Sequence, residues 1–176
     1  CLLRIPMAQY FGGRSVPMGG IAGVAVAPEV RGSGHGRALL TQCVRELHRE
    51  GVALSTLYPS TQALYRQVGY EAAGHRATIR VPIARIAGGR AAPGRAVKVL
   101  APDDEPALRA NYALMARAFP GMLDRSDYIW NRCRDLRGTK YQAFGFFDEH
   151  ARLTGHVFVH QHREGNRPRH DLLLSD

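Results

Sequence analysis

The chain has 176 residues, 45% of them apolar and 22% charged, with a formal charge of +9; this mixture can bury a core in one domain or two small ones and is too apolar for disorder. No apolar run is long enough to span a bilayer, and no basic-then-apolar leader precedes a small-residue cleavage site, so a cytoplasmic protein with no membrane partner is expected. Cys1, Cys43 and Cys133 form no CxxC pair and suit a reducing compartment.

The basic residues are unevenly placed. Residues 1–97 hold 12 Arg against 4 acids, whereas residues 98–176 hold 12 basic residues against 11 acids. That asymmetry fits a site for a polyanionic cofactor above a solvated surface, and it leaves open a basic nucleic-acid-binding module.

Taken in chain order, Leu2, Leu3 and Ile5 already read as strand, and the last residues, Asp171-Leu172-Leu173-Leu174, read as a buried strand; both ends are therefore expected to be cuts. Gly20 to Val26 reads as a strand, followed by a glycine-rich turn over Pro28 to Gly36. A helix is predicted from about Arg37 to Glu50, with Leu39, Leu40, Cys43, Val44 and Leu47 on one face and Gly51 as its stop. Val52 to Leu57 is a second strand, Thr61 to Val68 a short helix, and Tyr70 to Ile86 a further strand signal broken by Gly74 and Pro82. Strand, helix, strand at this spacing predicts a parallel crossover and an α/β fold with a mixed sheet.

The run 87–95 has a linker's composition. Beyond it the pattern predicts a strand over Ala96 to Leu100 and a helix capped by Asp103, with Leu108, Tyr112, Met115 and Phe119 on one face. A helix capped by Ser126 follows, then a hairpin of Tyr141 to Phe147 and Gly155 to His162 turning at Asp148-Glu149-His150. His156, His160 and His162 share one strand face, expected to be solvated opposite Val157 and Val159. No Cys or acid is placed to complete a metal shell, so no metal site is expected.

The chemistry is concentrated in Arg31-Gly32-Ser33-Gly34-His35-Gly36-Arg37. Three glycines at alternate positions let backbone N–H groups approach an anion, and the helix that follows adds its N-terminal partial charge. Arg31 and Arg37 flank the turn, so a pyrophosphate pocket follows from these features; a purely structural tight turn is the alternative. A nucleotide P-loop is excluded, because Arg37 and Ala38 stand where Lys and Ser or Thr are required. A dinucleotide fingerprint is excluded because no acid closes the next strand, which ends Leu57-Tyr58-Pro59.

The remaining pattern, Arg31, Gly34 and Gly36 between a strand and a helix, resembles the acetyl-CoA signature of the GNAT N-acetyltransferase superfamily. Leu57-Tyr58-Pro59-Ser60-Thr61-Gln62-Ala63-Leu64-Tyr65-Arg66-Gln67-Val68-Gly69-Tyr70-Glu71 and Val24-Ala25-Val26-Ala27-Pro28 resemble the Eis-type (enhanced intracellular survival) branch, over roughly Gly20 to Arg80. The resemblance implies an acyl-CoA N-acyltransferase fold, with residues 1–86 the rear part of a first GNAT unit and residues 96–176 the front part of a second. It implies that acetyl-CoA lays its pantetheine arm along Val24, Ala25 and Val26 and its diphosphate over Gly32 to Arg37. Ser60 and Thr61 would meet it near the acetyl end, and Tyr65 would be the general acid that protonates the leaving thiolate.

The implied acceptor is a small-molecule or peptide amine: an aminoglycoside, a polyamine or a protein lysine. Such proteins carry a third domain, whose terminal carboxylate is the base and which has no counterpart here; Asp176 is not at a matching position. The chain is thus read as an internal fragment, inactive alone, of a homo-oligomeric parent. A non-catalytic GNAT relic that only assembles with partners is a further alternative. Nucleic acid is not expected as a partner, because the arginines, among them Arg76, Arg80, Arg85, Arg90 and Arg95, are not interleaved with stacking aromatics.

Overall fold

The computed structural model describes residues 1–75, 77–82, 85, 96–163 and 170–175. The expected linker 87–95, and with it Arg76, Arg90, Arg95 and Asp176, lies outside the described residues. The first elements in chain order are β1 (Leu3–Phe11), β2 (Arg14–Ala22), α1 (His35–Arg49), β3 (Leu54–Leu57) and α2 (Gln62–Arg66). Then come β4 (Ala96–Val99), α3 (Glu105–Ala118), β5 (Leu123–Asp124), α4 (Asp127–Arg134), β6 (Asp135–Leu136), β7 (Thr139–Lys140), β8 (Gln142–Phe147), β9 (Leu153–Arg163) and β10 (His170–Ser175). Contacts divide the chain into two units, Cys1–Ile86 with Gly121–Asp124, and Ala87–Pro120 with Arg125–Asp176. Among the described residues no helix is long and apolar enough to cross a membrane.

The first unit is a four-stranded mixed sheet in the order β3-β2-β1-β5. β1 and β2 form a hairpin, with Leu3 opposite Ala22 and Phe11 opposite Arg14. β3 runs parallel to β2, with Met18 beside Leu54 and Ile21 beside Leu57, so α1 makes the crossover that parallel strands require. Leu40, Cys43 and Leu47 of α1 form the core with Ile21 and Tyr65. The helix can approach closely because β2 carries Gly19, where a Cβ would lie 2.6 Å from Leu47 Cδ2. The helix stops as Gly51 implies: the Gly51 N–H donates to His48 O and the Val52 N–H to Leu47 O, closing its last carbonyls. Arg4 of β1 reaches over to Glu50 at 3.0 Å and Glu46 at 3.6 Å.

The sheet departs from the sequence reading in three places. The strand expected over Gly20–Val26 is Arg14–Ala22, because pairing with β1 defines it and Pro17, Gly19 and Gly20 hide it locally. No strand forms over 71–75 or 77–82, where Ile79 is 83% exposed; β-branched residues make a strand only with a neighbour to pair with, and none of the described strands lies beside them. The other edge is closed by β5, far along the chain, at Ala8 and Gln9 of β1. Asp124 of β5 accepts hydrogen bonds from Tyr10 Oη at 2.9 Å and Ser15 Oγ at 2.6 Å.

The second unit carries the sheet β10-β9-β8-β4, antiparallel throughout, and the small pair β6-β7. The buried stripe of α3 is Leu108, Tyr112 and Ala116, spaced by four; Met115 and Phe119, expected on that face, are exposed. The N-cap residue of α3 is Asp104 in place of the expected Asp103; its carboxylate makes no cap bond to α3 and instead accepts the Ala101 N–H at 2.7 Å, closing the 3-10 turn before the helix. Ser126 does precede α4 as its N-cap residue, without a side-chain cap bond, and Trp130 and Cys133 are buried. At His156 the expected solvated face of β9 is a packing face, shared with fully buried Phe158, whose neighbour across the sheet is buried Ala143; the His162 side chain lies outside the described residues. The His156 ring lies 6.3 Å from those of Tyr112 and Trp130. The β8–β9 turn is held by Asp148, whose carboxylate accepts the His150 and Arg152 N–H groups at 2.9 Å each; these bonds, with the Arg152 guanidinium, keep its pKa below the ordinary range.

Candidate functional site

Beyond Ala22 the regular strand ends at Gly23, where φ is +59°. Leu3 pairs with Ala22, but Cys1 pairs with Ala25: its ammonium donates to Ala25 O at 2.7 Å and its carbonyl accepts the Ala25 N–H at 3.0 Å. One extra residue has therefore been inserted, a bulge with glycine in the left-handed region. Since Ala25 turns both backbone groups toward Cys1, alternation turns those of Val24 and Val26 to the opposite edge, the side of β3. β3 last pairs with β2 at Ile21–Leu57, so the two strands part beyond that point. Of the three residues implied for the pantetheine arm, Val24 faces the gap with its backbone groups and Val26 with its N–H, its carbonyl accepting Arg31 Nε; the groups of Ala25 are bonded to Cys1.

The turn that follows is braced from within. A 3-10 segment over Pro28–Val30 leads into it, Arg31 Nε donates to Val26 O at 3.2 Å, and Ser33 Oγ donates to Val30 O at 2.5 Å. Gly34, at φ +83°, is the N-cap of α1, a conformation costly for any residue with a Cβ. A Cβ at Gly32 or Gly34 would meet nothing within 4 Å, so the space above the turn is open and glycine is required by backbone shape. His35, Gly36 and Arg37 open a helix whose first turn has no acidic residue. Its free N–H groups point out of the helix end, with Arg37 exposed beside them. This donor set fits a phosphate-bearing ligand.

A cavity of about 440 Å³ is lined by Gln9, Ser55, Thr56, Tyr65, Tyr70 and Glu71 among others. Tyr65 is 7% exposed, with its ring in the core and 6.2 Å edge-on from the Tyr70 ring. Its hydroxyl has no hydrogen-bond partner among the described residues and is not one of their sealed, unpaired atoms, so it opens on the cavity. Ser60 and Thr61 sit exposed at the start of α2; Thr61 is its N-cap residue without a cap bond, and neither lines the cavity. Leu64, one residue before Tyr65, comes with Val26 within contact range of a Cβ built at Gly36 (3.7 and 3.6 Å), so strand end, turn helix and α2 converge. Val24 packs on the same core as Tyr65.

Sequence reasoning assigned no role to Ser55, Tyr70 or Gln9. Ser55 Oγ donates to Gly19 O at 3.0 Å and lies 2.5 Å from Tyr70 Oη. Burial pushes the Tyr70 phenol above its usual pKa, the Ser55 bond acting against it. Gln9 Nε2 donates to Gly121 O at 2.9 Å. Tyr70 closes the tyrosine-rich motif and could have been noticed there; Ser55 and Gln9 carry no local signal. Among the described residues no group of three His, Cys, Asp or Glu could hold a metal.

The mixed α/β fold, with its parallel crossover, bulged strand end and glycine turn at a helix start, matches the fold of GNAT acyltransferases, and residues 1–73 match the family described as Acetyltransferase (GNAT) domain. Among solved structures the chain is similar to a GCN5-related N-acetyltransferase from Anabaena variabilis, at 30% identity and a TM-score of 0.81, over 98% of this chain and 43% of that one. It is similar to a GCN5-related N-acetyltransferase from Kribbella flavida at 25% identity and a TM-score of 0.66, over 98% and 41% of the two chains. An Enterococcus faecalis protein described as a probable N-acyltransferase shares the fold at 22% identity and a TM-score of 0.69, over 90% and 40%. The chain thus spans about two fifths of the length of these proteins. No match was found among curated proteins.

Proposed function

We propose that the chain is the acetyl-CoA-binding part of an Eis-type N-acetyltransferase acting on an amine: an aminoglycoside, a polyamine or a protein lysine. The observation that carries this reading is a strand end opened by the Gly23 bulge, followed by the free N–H groups of the Gly34-capped start of α1, close to a cavity holding an unpaired phenol. The N–H groups at the start of α1, with Arg37, hold the diphosphate; Arg31 keeps the turn in shape through Val26 O. Val24 and Val26 hold the pantetheine arm as a strand would. Bound acetyl-CoA supplies an activated thioester. Tyr65 holds a proton at its hydroxyl for the departing sulfur, and the apolar core around its ring keeps the phenol oriented.

Calorimetry of acetyl-CoA with the wild type and Gly34→Val tests the reading. Saturable binding is expected in the wild type and loss of binding in the variant, because a β-branched residue disfavours φ +83° and fills the open space above the turn. Equal affinities would remove the phosphate site from this turn.

A further inference from the structure

The two phenols of the cavity have opposite hydrogen-bonding polarity, and the reason lies in one serine. The Ser55 hydroxyl has a single proton, and its contact with Gly19 O at 3.0 Å is a donation, because a carbonyl can only accept. The 2.5 Å contact between Ser55 Oγ and Tyr70 Oη must therefore be a donation from Tyr70. The relay runs Tyr70 to Ser55 to the backbone of β2, and it leaves on Tyr70 Oη only lone pairs. Burial, which holds the Tyr70 phenol neutral, keeps that arrangement intact at ordinary pH. Tyr65, whose ring stands edge-on at 6.2 Å, has its proton free. The carboxylate nearest in sequence, Glu71, is paired with Arg66 Nε at 3.1 Å.

We propose that Tyr70, oriented by Ser55, receives an N–H of the acceptor amine and so selects a nitrogen nucleophile over a carboxylate or phosphate oxygen, while Tyr65 serves as the proton donor. This rests on the transferase reading above. In the transfer the amine lone pair forms the C–N bond as the C–S bond breaks. The sulfur takes the electron pair and the Tyr65 proton, the surplus amine proton passes to water, and Tyr65 is reprotonated from water. Tyr70 exchanges no proton; it is a positioning residue that holds the nitrogen with its lone pair free for attack.

The test uses the full-length protein with acetyl-CoA and spermidine as the amine probe, reading kcat and spermidine KM from thiol release and the acetyl-CoA Kd by calorimetry. Tyr70→Phe is expected to raise the spermidine KM roughly severalfold to tenfold, the scale of one neutral hydrogen bond, with kcat and the acetyl-CoA Kd little changed. Ser55→Ala frees the Tyr70 proton to turn toward the cavity and is expected to raise the same KM severalfold; it decides the matter if Tyr70→Phe does not fold. Wild-type KM values in both variants, with only a lowered melting temperature, overturn the proposal and leave the transferase reading standing. A wild-type protein that does not bind acetyl-CoA overturns both.

Discussion

The two units have four-stranded sheets of similar size, yet they differ in the one connection on which the proposed ligand site rests. In the first unit β2 and β3 are parallel, so the chain must cross over, and α1 starts at the carboxyl end of β2 with its N–H groups outward. In the second every pair is antiparallel, and β8 passes to β9 through the tight Asp148 turn. Among the described residues of that unit no glycine-rich turn leads from a strand into a helix. Parallel pairing thus generates the proposed anion site as a by-product of topology, whereas a hairpin closes its backbone groups on themselves.

The comparison breaks most visibly at Tyr65. Tyr65→Phe in the full-length protein is expected to lower kcat by about 10²–10⁴, the worth of a general acid, with acetyl-CoA affinity retained. Because the hydroxyl has no partner among the described residues, melting temperature should barely move; a normal kcat would make Tyr65 a core residue only.

The second unit answers to packing. Phe158 is fully buried against the α3–α4 layer, and Phe158→Ala is expected to cost about 3–5 kcal/mol in denaturant titration. Below the unfolding transition the acetyl-CoA Kd should match the wild type, and a weakened Kd would carry the ligand site beyond the first unit.

Gly36→Ala sharpens the contrast between two glycines of one turn. A Cβ at Gly36 meets Val26 and Leu64 at 3.6–3.7 Å, ordinary contact, so helix propensity should raise stability by about 0.5–1 kcal/mol. A destabilised variant would show that Val26 and Leu64 cannot accommodate the added methyl group, a packing limit unlike the backbone requirement at Gly34.

The smallest effect is expected at Asp148. Its folded pKa lies below the unfolded value, so its stabilisation is present above about pH 4 and is lost as the pH falls through the folded pKa. Asp148→Ala should therefore melt earlier than the wild type at pH 7 and converge with it toward pH 2; a gap independent of pH would assign the turn to backbone preference.

The legible parts of this protein are local. The α1 helix, its glycine stop, the turn from Arg31 to Gly36 and the crossover to β3 follow from periodicity and from glycine chemistry that any reader of the residues can apply. Asp104 replaced Asp103 as the N-cap residue and Ala116 replaced Met115 in the α3 stripe, shifts of one residue along the same helix. Tertiary structure decided whatever depends on a distant partner. β1 defined where β2 begins, and β5 arrived from more than a hundred residues away to place Asp124 against Tyr10 and Ser15. Phe158 drew the His156 face of β9 inward, and residues 71–75 and 77–82, β-branched in part, found no strand to join among those described. The Ser55–Tyr70 relay belongs with these, since it needs the Gly19 carbonyl of a neighbouring strand to orient the serine proton. Side-chain spacing along the chain encodes which face a residue takes; which strand or helix meets that face is settled by burial and backbone hydrogen bonding across the whole fold, and neither is written in any short stretch of residues.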